Sequence, residues 1–368
     1  MTPTSIPKAL AVVEQSKVEG LHIGAQGFVS LRGEVVADFA VGEARQGVAM
    51  TTDTVMLWLS CSKPLAAVAL GQLWEQGKLQ PDDPVAVHIP EFEANGKEAV
   101  TLRHLLTHTG GLPSIPTGWP SASWDESITR VCTCELEPDW PPGRRAAYNV
   151  QVSWFVLAEV VRRVDGRPYP QYVREEIFEP LDMIDSWVEL PPDRHEAYGD
   201  RLGVMHITER GEVKPHPFAY DAPRSTAACN PGGSGRGPLR ELGRFHEMIL
   251  GRGTRNGVRI LSPQTVEALT ARHRVGLRDE TFQQQMDWGL GFVVDNNQYG
   301  ADKLRYGYGL HSSPRAVGHS GYQSSTGFCD PEFGLVATIV FNGTPGEMKH
   351  GRRMRAYLTA LYEDLGLA

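Results

Sequence analysis

The extended runs of this sequence lie at its two ends, and no other feature constrains the fold as much. "GFVSLRG" and "EVVADFAVG" meet near Arg32-Gly33 and read as a hairpin. Towards the other terminus, "GHSGYQSSTGFCD" and "LVATIVFN" read as strands joined by the turn "PEFG". A helix over about residues 7–17 precedes the first pair, and another over about 348–365 closes the chain. The middle, about 65–195 and again 238–250, is mostly helical, while residues 200–237 are rich in Gly, Pro and polar residues and read as loop. This predicts an α/β (α+β) chain. An antiparallel sheet flanked by helices comes from residues 1–75 and 240–368, and a mainly helical domain, 76–239, is inserted between them. A site is expected where the two meet.

Composition narrows the function classes. The 368 residues are 41% hydrophobic, enough for a sizeable core in one large domain or two packed ones. A formal charge of -8 with no Lys/Arg run argues against a nucleic-acid partner. No stretch approaches the ~20 apolar residues of a membrane span. The N-terminus "MTPTSIPKALAVVEQSK" lacks the charged start and apolar core of a secretory signal, so a cytoplasmic location is expected. Cys61, Cys132, Cys134, Cys229 and Cys329 form an odd, scattered set that fits a reducing compartment. Cys132 and Cys134 have no second pair at zinc-site spacing, and neither a metal nor a cofactor is expected.

Chemistry enters at Trp58 to Lys78, "WLSCSKPLAAVALGQLWEQGK". Leu65, Val68, Ala69, Leu73 and Trp74 recur at helical spacing, and Gly77 sits where a helix ends. The helix is expected to begin around Ser60, which shares a face with Lys63 three residues on. Serine is a weak nucleophile unless a base takes its proton. A lysine one turn away can do so if desolvation lowers its pKa. A helix N-terminus also favours negative charge.

Further motifs follow in order: "VTLRHLLTHTGGLP", "PPGRRAAYNV", "IFEPLDM", "NPGGSGRGPLRELGRFHEMIL", "WGLGF" and "VGHSGYQSSTGFCDPEFGLVATIVFNG". In this order and spacing nearly the whole chain resembles the serine β-lactamase-related superfamily. It looks nearest to the class C branch and its esterase, transesterase and D-aminopeptidase relatives. The resemblance implies Ser60 as nucleophile, Lys63 as its base and Tyr148 as proton shuttle. The Y-x-N motif falls on Tyr148-Asn149-Val150, with Val150 at the asparagine position. Asn149 is one residue early, which leaves a local register shift open. The K-T-G strand motif corresponds to His319-Ser320-Gly321, with histidine for lysine. Gly321 is expected to let the strand approach the substrate. The implied oxyanion donors are the backbone N–H groups of Ser60 and Tyr322.

Two other patterns are decoys. "GHSGY" begins like the α/β-hydrolase elbow but ends on Tyr322. "HLLTH" has the spacing of a zinc motif without its glutamate, so His104 and His108 read as structural.

The expected reaction is metal-independent acyl transfer from a small-molecule ester or amide. Histidine at 319 is neutral or partly charged near pH 7, a weaker anion anchor than lysine. Valine at 150 removes an amide contact. Both favour an esterase on carboxylic esters. The alternatives are a transacylase or transesterase of small-molecule biosynthesis, a β-lactamase or D-aminopeptidase, and a catalytically dead binding module. Trp119, Trp124 and Trp140 are candidates either for a bulky apolar pocket or for core packing.

Overall fold

The computed structural model describes residues 6–368. Its centre is an antiparallel sheet of seven strands. In spatial order these are Val293–Val294, Val317–Ser320, Ser325–Asp330, Leu335–Phe341, Gly24–Leu31, Glu34–Arg45 and Val48–Ala49. The two ends of the chain meet in the middle, where Leu31 pairs with Leu335 and Ala25 with Phe341. The first hairpin turns at Arg32 and Gly33, with φ of 53° and 85°. Two positive φ values in a two-residue loop match the right-handed twist of the flanking strands.

Both faces of this sheet are covered, which is why Leu335–Phe341 is buried along its whole length. On one face lie the terminal helices Pro7–Val18 and Glu347–Asp364. Ala9, Val13, Met354, Tyr357 and Leu361 pack there against Val29, Ala337 and Phe341. On the other face lies the helix Leu239–Leu250. The core continues from it into the helices Lys63–Glu75 and Val152–Asp165. Among the described residues, no helix is long and apolar enough to cross a membrane.

Two local readings of the sequence change. "GHSGYQSSTGFCD" is itself a hairpin rather than one strand, with Val317–Ser320 pairing back onto Ser325–Asp330. The chain reverses where Gly321 N–H donates to the Ser325 carbonyl at 2.8 Å and Gln323 adopts φ 48°. The α-helix begins at Lys63, not at Ser60. Leu59–Ser62 form a tighter 3-10 turn before it.

Candidate active site

The turn before Lys63 sets the position of Ser60. Leu59 has φ 51°, a conformation that costs an L-residue roughly 1–2 kcal/mol. Several bonds hold it there. Ser62 Oγ donates to the Leu59 carbonyl at 2.6 Å and accepts from Gly235 N–H at 2.9 Å. Ser325 Oγ donates to the Trp58 carbonyl at 2.6 Å. Trp58 is tied by its N–H to Gly235 at 2.7 Å and by its indole to Gly237 at 3.0 Å. Cys61 Sγ donates to the His319 carbonyl at 3.0 Å, fixing the turn to the strand. Burial pushes that thiol up to about 12, so it stays protonated.

Lys63 is fully buried, and its Nζ meets three partners. These are Ser60 Oγ at 3.0 Å, the Val150 carbonyl at 3.0 Å and the Gly232 carbonyl at 2.6 Å. Among the described residues no carboxylate pairs with it, and desolvation pushes its pKa well below the usual lysine value. Nζ donates to all three partners, the full donor count of an ammonium. The neutral amine that desolvation favours keeps two N–H groups for the carbonyls and turns its lone pair to the Ser60 hydroxyl. Tyr148 O–H donates to Ser60 Oγ at 2.8 Å, while burial raises its own pKa and keeps it protonated. Ser60 Oγ thus accepts from Tyr148 and from Lys63 as the hydrogen bonds stand, and a neutral Lys63 could instead take the Ser60 proton.

Tyr148 is positioned from behind. Asp279 Oδ1 accepts its backbone N–H at 3.1 Å, and also those of Thr281 and Phe282. The other Asp279 oxygen takes Arg274 at 3.0 Å in a fully buried ion pair. His108 packs against the Tyr148 ring at 4.7 Å, and its Nδ1 accepts from Asn149 N–H at 3.0 Å. His104 caps a helix through Thr101, so both histidines of "HLLTH" serve the fold. Asn149 points away from the site, its amide donating to the Leu112 carbonyl at 3.0 Å. Val150 lines the cavity.

His319 is 2% exposed, and burial with the nearby Lys63 lowers its pKa to about 3. It is neutral, not partly charged. Its Nδ1 lies 2.8 Å from the Ser320 carbonyl, which assigns the proton to that nitrogen and leaves Nε2 as a lone pair. A Cβ at Gly321 would stand 2.2 Å from Ser325 Oγ and 2.7 Å from the Trp58 carbonyl. Its close approach in the structure is to the turn that carries Ser60. Among the described residues, no acceptor meets the N–H of Ser60 or of Tyr322.

These groups open into a cavity of about 710 Å³. Its walls include Trp119, Tyr220, Phe282, Trp288 and Tyr322. Of the three tryptophans singled out in the sequence, Trp119 alone lines it. Trp124 packs on Phe155, and Trp140 under Arg145. Sequence reasoning missed the Asp279–Arg274 pair, the Cys61 tie and the cavity residues Gln151 and Arg236. Arg274 and Asp279 are only five residues apart, but the part they play at the site comes from Tyr148, 131 residues from Asp279, and the Cys61 tie spans 258 residues, so neither role has a local signal. Arg236 sits in a segment read only as loop.

The sheet, the inserted helices and this serine–lysine–tyrosine cluster define a β-lactamase-fold serine hydrolase. The chain belongs to the Beta-lactamase family, whose sequence profile matches residues 11–361. It is similar to the Esterase/beta-lactamase LipL of Mycobacterium tuberculosis (strain ATCC 25618 / H37Rv). The two are 26% identical over 341 residues, which cover 85% of this chain and 76% of that one. Esterase EstB of Burkholderia gladioli is 29% identical over 316 residues, covering 77% and 78%. A penicillin-binding protein homologue from Caulobacter crescentus superposes with a TM-score of 0.79 at 29% identity, covering 98% and 97%.

Proposed function

We propose that the protein is an esterase of small-molecule carboxylic esters, close to the class C-like branch, working through an acyl-enzyme on Ser60. Lys63 takes the Ser60 proton as Oγ bonds to the ester carbonyl carbon. The developing oxyanion is held by the N–H groups of Ser60 and Tyr322, donors typically worth a few kcal/mol each. Collapse breaks the bond to the alcohol oxygen, which receives the proton from Lys63 through Tyr148. Water then attacks the acyl-enzyme by the same relay in reverse and releases the acid.

One observation carries the ester reading. The strand motif has a buried, neutral His319 in place of the lactamase lysine, so it supplies no cation for a β-lactam carboxylate. The Val150 side chain in the same cavity offers no amide partner, although Gln151 Nε2, with no acceptor among the described residues, belongs to a cavity residue one position on. The names of LipL and EstB are consistent with ester chemistry in the family. The test is mass spectrometry of the trapped acyl-enzyme across a panel of esters, amides and β-lactams. Adducts on Ser60 from short p-nitrophenyl esters are expected. Adducts from amides or β-lactams alone would overturn the reading.

A further inference from the structure

Among the described residues three arginines are buried, and one of them has a single hydrogen-bond partner. Arg274 donates to Asp279 and to the carbonyls of Met286 and Thr107. Arg353 is surrounded by the carbonyls of Leu21, Gln323 and Gly343 and by two histidine nitrogens. Arg236 is as deeply buried, at 4% exposed, yet its guanidinium meets one acceptor, the Tyr220 carbonyl at 3.2 Å. Among the described residues no carboxylate lies within 4.0 Å of it. Most of its five N–H donors therefore have no protein acceptor among the described residues, and they open onto the cavity. Asp221 acts on this charge from beyond ion-pair distance and does not cap its fork. A largely buried cation without a direct partner is costly, and a ligand in the cavity can complete it.

The place of Arg236 says what that is. Its strand, Arg236–Gly237, pairs with Met56–Leu57, and Arg236 stands opposite Leu57, three residues before Ser60. Its side chain lines the same cavity as Ser60, Lys63's carbonyl partner Val150 and His319. Beside it the rings of Trp119 and Tyr220 stack at 6.2 Å, and Phe218 stands at the rim, 64% exposed. A fixed cation against apolar walls suits an anion carried on an otherwise apolar body. The guanidinium fork matches a carboxylate in particular.

We propose that Arg236 is a substrate-specificity residue that binds a carboxylate carried by the ester, at a point remote from the reacting carbonyl. The inference rests on the ester reading and names its substrate class: half-esters and other carboxylate-bearing esters. It puts the recognition of negative charge on a different element from the strand motif, where His319 supplies none.

The experiment compares matched pairs. For a carboxylate on the acyl side, the pair is mono-p-nitrophenyl glutarate and its methyl ester. For one on the alcohol side, the pair is 4-acetoxybenzoate and its methyl ester. One pair is expected to favour the carboxylate in kcat/KM by about 10- to 100-fold, the worth of a charge-assisted hydrogen bond. Arg236→Gln should bring that ratio near unity, and Arg236→Lys should keep part of it. Arg236→Met, which retains the stem, replaces the glutamine variant if that chain does not fold. No preference in either pair, or a preference that survives Arg236→Gln, overturns the inference and leaves the ester reading standing. If no ester is turned over, the ester reading fails. The carboxylate site is then decided by the binding of 3-carboxyphenylboronic acid against phenylboronic acid, which adds to Ser60 without any ester. Equal affinity would sink it.

Discussion

Asp279 Oδ1 accepts the backbone N–H of Tyr148 at 3.1 Å, across 131 residues of sequence. This carboxylate also holds its own loop and balances Arg274, so it fixes the tyrosine by its main chain and leaves the phenol free for Ser60. Asp279→Ala would leave Arg274 charged and unpaired in the core. Loss of one partner of a buried pair costs about 3–5 kcal/mol. Urea unfolding should show a loss of that order, with kcat reduced in the fraction that folds. Asp279→Asn keeps an acceptor for Tyr148 and should cost less in kcat than alanine does. An alanine variant as stable as wild type would show that the pair does not hold this wall together.

Ser60→Ala should abolish turnover and leave the fold intact, because the side chain is small and the turn is held by Ser62, Ser325 and Cys61. The loss of a nucleophile is commonly about 10⁴–10⁶ in kcat. Lys63→Ala and Tyr148→Phe should each be severely impaired, and the double variant little worse than either. Both act on one proton, and residues that act as a unit fail together. A double variant losing the full product of the two single losses would show that they work independently.

The pH dependence follows from Lys63. Its folded pKa lies well below the usual lysine value because of burial. The base is the neutral amine, so kcat/KM should rise with pH through that folded pKa and then level off. His319 is already neutral above about 3, so His319→Gln should leave this acid limb in place. Stability carries the same sign. The unfolded lysine stays protonated up to ~10.4 while the folded one does not. Between the two pKa values the unfolded state binds more protons, so stability rises with pH and falls as pH falls. Lys63→Met should flatten that dependence by up to about 1.4 kcal/mol per pH unit. Parallel stability curves for the two proteins would mean that Lys63 keeps its proton in the folded state.

The outline of the sheet was legible because strands at both ends have nowhere else to bury their faces. The Ser60–Lys63 pair was legible because helical spacing is local. What escaped depended on long-range closure. A strand cannot be told from a tight hairpin when the reversal rests on Gln323 at φ 48°, a conformation its side chain does not announce. Leu59 at φ 51° hides in the same way, since leucine gives no turn signal. Gly321 has a protein neighbour that the motif does not name. Its missing Cβ is visible in sequence, but that Trp58 fills the space is not. The charge state of His319 needed its burial, which no motif states.

Gly321→Ala tests that neighbour. The new Cβ would meet the Trp58 carbonyl at 2.7 Å and Leu59 Cβ at 2.9 Å, and backbone there cannot swing aside. The turn carrying Ser60 must shift, and a displacement near 1 Å can cost on the order of 10²-fold in rate. Stability should fall by about 1–3 kcal/mol, as for overpacking elsewhere. Ser325→Ala added to Gly321→Ala removes one clash but not the backbone ones, so it should not restore kcat. Activity within twofold of wild type in Gly321→Ala would show that the turn has slack.

The last test concerns the two positions that depart from the lactamase pattern. The Nδ1 proton of His319 is committed to the Ser320 carbonyl at 2.8 Å, and its Nε2 is buried without a partner among the described residues. A carboxylate brought beside this ring meets no charged donor on it. Val150 adds no polar contact. The wild-type enzyme should therefore cleave short p-nitrophenyl esters readily and cephalosporins slowly or not at all. His319→Lys paired with Val150→Asn supplies the missing cation and amide. The cephalosporin-to-ester ratio of kcat/KM should rise by about 10- to 100-fold, the worth of one charge-assisted hydrogen bond. A second cation beside Lys63 also disfavours its protonation, so the acid limb should move to lower pH in the same variant. His319→Ala should cost less esterase activity than Ser60→Ala, because the buried ring is a wall of the cavity and takes no part in the proposed proton relay. The measurement is kcat/KM for one ester and one cephalosporin across these variants and across pH. A wild-type enzyme that prefers the cephalosporin by more than about tenfold would overturn the ester reading, since that ratio is about 1.4 kcal/mol in the wrong direction. It would leave the Ser60–Lys63–Tyr148 relay untouched.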